Sequence, residues 1–153
     1  MDFSLIHIER TLDVGVCLDI LTDKYIFDSI SEDGATFKTL KVDVINDYWL
    51  TIKNTDGFIG VVQFKQKFNK CYDCHIHILK EHRKESSLDA GAKILDWCKE
   101  NLKGSLLYTN IPEFCPNVKN FLLNFGFVEN GVLHKAWFKN GKAHNMNILT
   151  REV

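Results

Sequence analysis

No apolar run in this chain approaches the roughly 18 residues needed to cross a bilayer, so no membrane span is expected. Charge of one sign is lacking too. The 19 Lys and Arg residues nearly balance the 20 Asp and Glu residues, for a net charge of -1. That removes the electrostatic case for bulk nucleic-acid binding or for a membrane surface, and any anion site must be local. The start, Met1-Asp2-Phe3-Ser4-Leu5-Ile6, is too short and too acidic for a secretory signal. Five cysteines, an odd number, then read as reduced thiols, and the expected location is cytoplasmic. Cys71 and Cys74 make a C-x-x-C without a second pair. In an extended strand, residues three apart face opposite ways, which argues against a shared metal. His7, His82 and His144 carry no metal-ligand spacing, so no metal is expected.

There is no repeat, no low-complexity segment and no linker. The sequence reads as one domain over residues 1–153, large enough to bury a sizeable core. Apolar residues make up 45% and charged residues 25%, as in ordinary globular chains.

Periodicity predicts a strand over residues 3–9. It predicts helical character over 12–30, with Asp13 as N-cap. A weak strand is expected over 37–46 and a clearer one over 48–53. The turn signal Asn54-Thr55-Asp56-Gly57 then leads to a hairpin partner over 58–68. Residues 71–79 read as the next strand. A helix is expected over 88–102, with Leu88, Ala92 and Leu95 inward and Ile94 and Cys98 beside them. A short buried strand (105–109), a helix (117–125) ended by Gly126, and a strand turned at Asn130-Gly131 follow. The last element is a hairpin, 133–138 with 143–149, around Lys139-Asn140-Gly141-Lys142. The expected class is α/β (α+β): a mixed, mostly antiparallel sheet of about six to seven strands with flanking helices.

The junction after the strand at 71–79 carries the most chemistry. Lys80-Glu81-His82-Arg83-Lys84-Glu85-Ser86-Ser87 reads as a short basic loop opening into a helix. The first N–H groups of a helix lack internal partners and suit a phosphate.

This order of elements, with a phosphate-cradling turn after the fourth strand, resembles the GNAT N-acetyltransferase superfamily. The resemblance covers most of the chain, best from Tyr48 onward. The family pattern R-x-x-G-x-G/A aligns with Arg83-Lys84-Glu85-Ser86-Ser87-Leu88, keeping the arginine and replacing both glycines. The segment 111–127, ending in Gly126-Phe127, looks like the family's last helix. The terminal hairpin looks like the branch with ribosomal-protein acetyltransferases, and the glycine-poor loop is similar to that of bacteriophage-carried members.

The resemblance implies acetyl-CoA as co-substrate and direct transfer to a primary amine: a protein N-terminus, a lysine or a small amine. It implies a pyrophosphate held by Arg83, Lys84, Glu85, Ser86, Ser87 and Leu88. The pantetheine arm would pair with the backbone of His77, Ile78 and Leu79, along a split between the fourth and fifth strands. Cys115 falls where the family often has a CoA-contacting asparagine, with Asn117 two residues on. A tyrosine acid frequent in the family is Leu122 here.

The residues themselves offer His75 and His77 as bases, since histidine titrates near neutrality and both share one strand face. The rival reading is a packed pair of half-buried histidines. Asp73, on the same face, can orient His75 or meet a cationic acceptor. Tyr108 can protonate the leaving thiolate, or be a core tyrosine. The alternative function is a GNAT-fold binding or inhibitory protein without catalysis. The exposed edge of the C-terminal hairpin can pair with a second copy to give a homodimer.

Overall fold

The computed structural model describes residues 5–153. Strand β1 (His7–Arg10) begins later than the sequence suggests, and residues 3 and 4 of the expected strand lie outside the described part. Residues 12–30 are two helices, α1 (Val14–Leu21) and α2 (Lys24–Ile30). Each has its own aspartate cap. Asp13 accepts from Gly15 and Val16 N–H at 2.9 and 3.3 Å, and Asp23 accepts from Tyr25 and Ile26 N–H at 3.0 and 3.1 Å. The second cap is what breaks the run. The strand expected over 37–46 is absent. A single 3-10 turn, Phe37–Thr39, stands there, followed by a turn in which the Asp43 carboxylate accepts from Ile45 and Asn46 N–H. Local side-chain bonds to the backbone outcompete strand pairing in this stretch.

Strands β2 (Tyr48–Asn54), β3 (Gly57–Phe68) and β4 (Cys71–Ile78) form an antiparallel meander. The turn at Asn54 needs Gly57, whose φ of 118° lies in the left-handed region. Helix α3 (Lys80–Asn101) leads to β5 (Leu106–Pro112), and α4 (Pro116–Asn124) leads to β6 (Val128–Lys139) and β7 (Lys142–Glu152). The seven strands lie in the order β1-β2-β3-β4-β5-β7-β6. Only β4 and β5 run parallel, so the expected mixed, mostly antiparallel sheet is what forms. Asn130-Gly131 does not turn the chain. It sits in a bulge of one long β6, where the register shifts between Glu129 and Val132. Asn140 and Gly141, at φ 54° and 73°, make the tight turn expected of Asn-Gly.

Alternation along the strands builds a core on each face of the sheet. Leu50, Ile52, Val62, Phe64, Cys74 and Ile78 pack under α3 and α4. Trp49 and Val61 meet Cys17, Ile20 and Ile26 of α1 and α2 on the other face. Helix α4 closes with Gly126 at φ 83°, while Phe127 N–H reaches Leu122 O at 3.1 Å and Gly126 N–H reaches Leu123 O at 3.1 Å. That double bond is a Schellman cap, the physical content of the Gly126-Phe127 signature.

Helix α3 corrects the largest expectation. It starts at Lys80, directly after β4, so the supposed loop 80–87 is helical. Residues 80–90 contain no glycine or proline, and Lys, Glu and Arg favour helix, so nothing holds the segment open. The helix also turns a different face inward. Ser86, Ala90, Ile94 and Cys98, spaced by four, are buried. Leu88, expected inside, is 64% exposed, and Ala92 is exposed as well. Among the described residues, no helix is long and apolar enough to cross a membrane.

Candidate functional site

Strands β4 and β5 pair only over Cys71↔Leu106, Tyr72↔Leu107 and Asp73↔Tyr108. Beyond that point they diverge, while β4 stays bonded to β3 as far as Ile78. A cleft of about 170 Å³ opens in the gap. Its walls include Gly91 and Ile94 of α3, Cys115 and Leu122 on the same side, and Ser29, His75 and His77 on the opposite side. The cleft therefore passes through the sheet, joining the α3/α4 face to the α1/α2 face. It is mostly apolar, with Ser29, His75, His77, Thr109 and Asn110 among its polar lining.

The split exposes backbone, but not quite the backbone expected. Leu79 N–H donates to Ile59 O at 2.8 Å, so Leu79 points its amide at β3. Strand amides alternate in direction, so His77 and His75 also face β3, and Cys74, Ile76 and Ile78 face the split. Of the expected trio His77, Ile78 and Leu79, only Ile78 turns toward the cleft. Its carbonyl accepts from Arg83 Nε at 2.8 Å, which ties Arg83 to the end of β4, with no partner for its terminal nitrogens among the described residues.

The expected anion loop is corrected in the same way. Within α3, the amides from Lys84 onward, including Glu85, Ser87 and Leu88, are bonded along the helix. Ser86 is buried against the sheet, so its hydroxyl is not presented to a ligand. The unpartnered first-turn amides are instead those of Lys80 and Glu81, because His82 N–H already reaches Leu79 O at 2.9 Å. Lys80 Nζ itself lies 4.3 Å from the centre of the Tyr25 ring, against α2.

His75 and His77 do share a face, with rings parallel to within 7° and centroids 6.4 Å apart. His77 is half-buried, and burial first, then the charges of His75 and Arg83, pushes its pKa down to about 3. The shift weakens it as a base relative to an ordinary histidine. His75 Nε2 lies 3.0 Å from Asp73 Oδ1, off the line of an ideal hydrogen bond. Tyr108 sits where the strands rejoin. Its hydroxyl accepts from Asn110 Nδ2 at 3.3 Å, and Lys67 Nζ lies 5.0 Å from its ring centre.

The cysteines of the cleft favour the thiol form. Burial pushes the Cys115 thiol up, and pushes Cys74 up further. All five cysteines are free, with Cys71 and Cys74 on opposite faces of β4 as the spacing implied. Cys115 lines the cleft, whereas Asn117 is exposed and away from it. Leu122 is buried and supplies no acid.

Ser29, Asn110 and Gly91 were missed by the sequence reading. Asn110 had a signal, since it lies two residues from Tyr108 on the same strand face. Gly91 had none. A Cβ there would come within 2.5 Å of the Phe125 ring, a contact set by how α3 docks on α4.

The described residues superpose on known acetyltransferase structures. The spermidine N-acetyltransferase of Vibrio cholerae in complex with CoA and spermine matches with a TM-score of 0.74 and 18% identity, over 97% of this chain and 95% of that one. The ribosomal-protein-alanine N-acetyltransferase of Brucella melitensis matches at 0.73 and 14%, over 96% and 99%. The chain has the GNAT fold. No protein-family model and no curated protein sequence matches it. The GNAT fold accounts for the diverging β4 and β5 and for the long helix that follows β4. The expected fold class thus stands, whereas the GNAT-type glycine loop is replaced by helix.

Proposed function

We propose that this protein transfers an acetyl group from acetyl-CoA to a primary amine, with donor and acceptor meeting in the cleft between β4 and β5. The observation that carries this reading is the cleft itself, lined from both faces of the sheet and carrying His75 on the α1/α2 side. The donor enters past Arg83, whose free nitrogens and the first-turn amides of α3 face the pyrophosphate. Pantetheine runs along β4, where the amides of Ile76 and Cys74 offer strand-like pairing. The neighbours support both halves of the reaction: one holds CoA and spermine, and the other is named for a ribosomal-protein alanine.

The amine nitrogen attacks the thioester carbonyl carbon, the C–S bond breaks, and the amine proton passes to His75. The thiolate of CoA takes a proton from Tyr108, whose hydroxyl accepts from Asn110 and so has its own hydrogen free to donate. Transfer is direct. A cysteine intermediate needs a thiolate, and burial holds Cys74 and Cys115 as thiols. Cys115→Ser is accordingly expected to leave turnover essentially unchanged in a steady-state acetylation assay, and loss of all activity would revive a covalent route.

A second reading, a GNAT-fold binding module without chemistry, is favoured by Leu122 and by the helical 83–88 segment. Calorimetry with acetyl-CoA, followed by mass-spectrometric detection of acetylated spermidine and of an acetylated N-terminal alanine peptide, separates the two. Binding with transfer is the expected result. Binding without transfer to any amine, or no binding at all, sinks the enzyme reading and supports the second.

The half-buried His77 also sets a pH dependence of stability. Its folded pKa of about 3 lies below the ordinary 6.5, so the unfolded chain binds the proton first as pH falls. Stability from this group is full above pH 6.5 and drops by roughly 2 kcal/mol by pH 5. Chemical denaturation at pH 7.5 and pH 5 should show that drop, and His77→Gln should lessen it. An identical pH dependence in the variant would show that His77 is not buried in solution.

A further inference from the structure

A buried carboxylate oxygen lies where β4 and β5 part, and nothing in the proposed chemistry uses it. Asp73 is the last β4 residue paired to β5, opposite Tyr108. Its side chain is 16% exposed, and Oδ1 is fully enclosed with no hydrogen bond. An unpaired buried carboxylate oxygen is costly, so a donor within reach is strongly favoured. Among the described residues, its one ion-pair neighbour is His75, with Nε2 at 3.0 Å. Lys65 stands opposite Asp73 on β3 but forms no ion pair with it. A small rotation of the imidazole turns the 3.0 Å contact into a hydrogen bond, and only Nε2–H can make it.

We propose that Asp73 is a positioning residue that holds His75 as its Nε2–H tautomer and directs the lone pair of Nδ1 to the acceptor amine. This rests on His75 being the base of the acetyl transfer proposed above. A neutral imidazole donates through one nitrogen and accepts through the other, and the partner of the first decides which is which. The two atoms then divide the work. Nε2 is anchored to the strand junction, and Nδ1 is left to take the proton. Neighbouring His77 does not compete for the carboxylate, because it is two residues further along β4 with its ring parallel to His75.

The test is long-range 15N–1H NMR of the imidazoles in the full chain, together with kinetics on Asp73→Asn. In the wild type, the neutral His75 ring should show the Nε2–H pattern. Asn can donate as well as accept, so Asp73→Asn should give a tautomer mixture. Its kcat should fall about 10- to 100-fold, as for removal of the carboxylate behind a metal-binding histidine. KM for acetyl-CoA should stay unchanged, which a merely structural defect would not give. A wild-type Nδ1–H pattern, or an unaltered tautomer in Asp73→Asn, overturns the proposal whether or not the protein acetylates anything. Should that variant fail to fold, the wild-type spectrum alone decides. Absence of transferase activity with the Nε2–H pattern intact would strike the function and leave the dyad standing.

Discussion

His75→Gln is expected to lower kcat by about 10²- to 10⁴-fold, with calorimetric affinity for acetyl-CoA unchanged. In the proposed reaction His75, rather than His77, stands at the reacting end. In the proposed donor path the mouth is the Ile78–Arg83 end of the split, and the strands rejoin at Asp73 and Tyr108. A donor held by its phosphates at the mouth must reach inward. His75 stands three residues from Ile78, about 10 Å along the strand. It is on the face that carries Asn110 and Ser29 rather than the apolar face under α3. His77 is nearer the Ile78 end, and burial lowers its basicity. Glutamine preserves size and some hydrogen bonding, so the cleft should survive. A loss of this size corresponds to about 3–5 kcal/mol of transition-state stabilisation. A change smaller than threefold at every pH would mean that solvent, not His75, takes the proton.

How much of this could be read before the structure differs from element to element. The hairpin 48–68 was legible because Asn54-Thr-Asp-Gly57 imposes a turn between two alternating runs. The Gly126-Phe127 signal was legible because a Schellman cap needs a left-handed residue followed by an apolar one. The face shared by Asp73, His75 and His77 followed from strand periodicity alone.

The failures lie where tertiary context or helix propensity decided. Family analogy made residues 83–88 a loop, but Lys80-Glu-His-Arg-Lys-Glu85 is a strong helix former and lacks the glycines that would keep it open. Once the helix began eight residues early, its inward face changed, and Leu88 moved from the core to solvent. The backbone assignment at His77 and Leu79 failed for a different reason. Which amides face the split depends on the bonding phase with β3, and that phase is fixed by register rather than by sequence. The burial of His77 arises from α1 and α2 covering that face of β4 beside Val61, which no local pattern encodes.

Gly60→Val is expected to destabilise the protein by about 3 kcal/mol and to abolish acetylation below the melting temperature. Gly60 lies in β3 opposite Ile78, and a Cβ there would approach His77 O to 2.4 Å and Ile78 Cα to 3.2 Å. Both are β4 backbone, which cannot rotate away. The chain can accept the added methyls only by moving β4, and β4 carries Asp73, His75 and the backbone edge of the cleft. Gly91 is the useful contrast. A Cβ at Gly91 also comes within 2.5 Å of a neighbour, but that neighbour is the outer edge of the Phe125 ring. A side chain can turn aside, so Gly91→Ala should be the milder change even though both clashes are similar in distance. For a chain of this size, about 3 kcal/mol corresponds to a fall in Tm of roughly 6–12 °C. Calorimetric scans of the two variants, run beside acetyl-CoA binding, check the ordering. If Gly60→Val melts with the wild type and still binds acetyl-CoA, then β4 is not held against β3 as closely as the 2.4 Å approach requires. The packing that sets the cleft edge would then have to lie elsewhere.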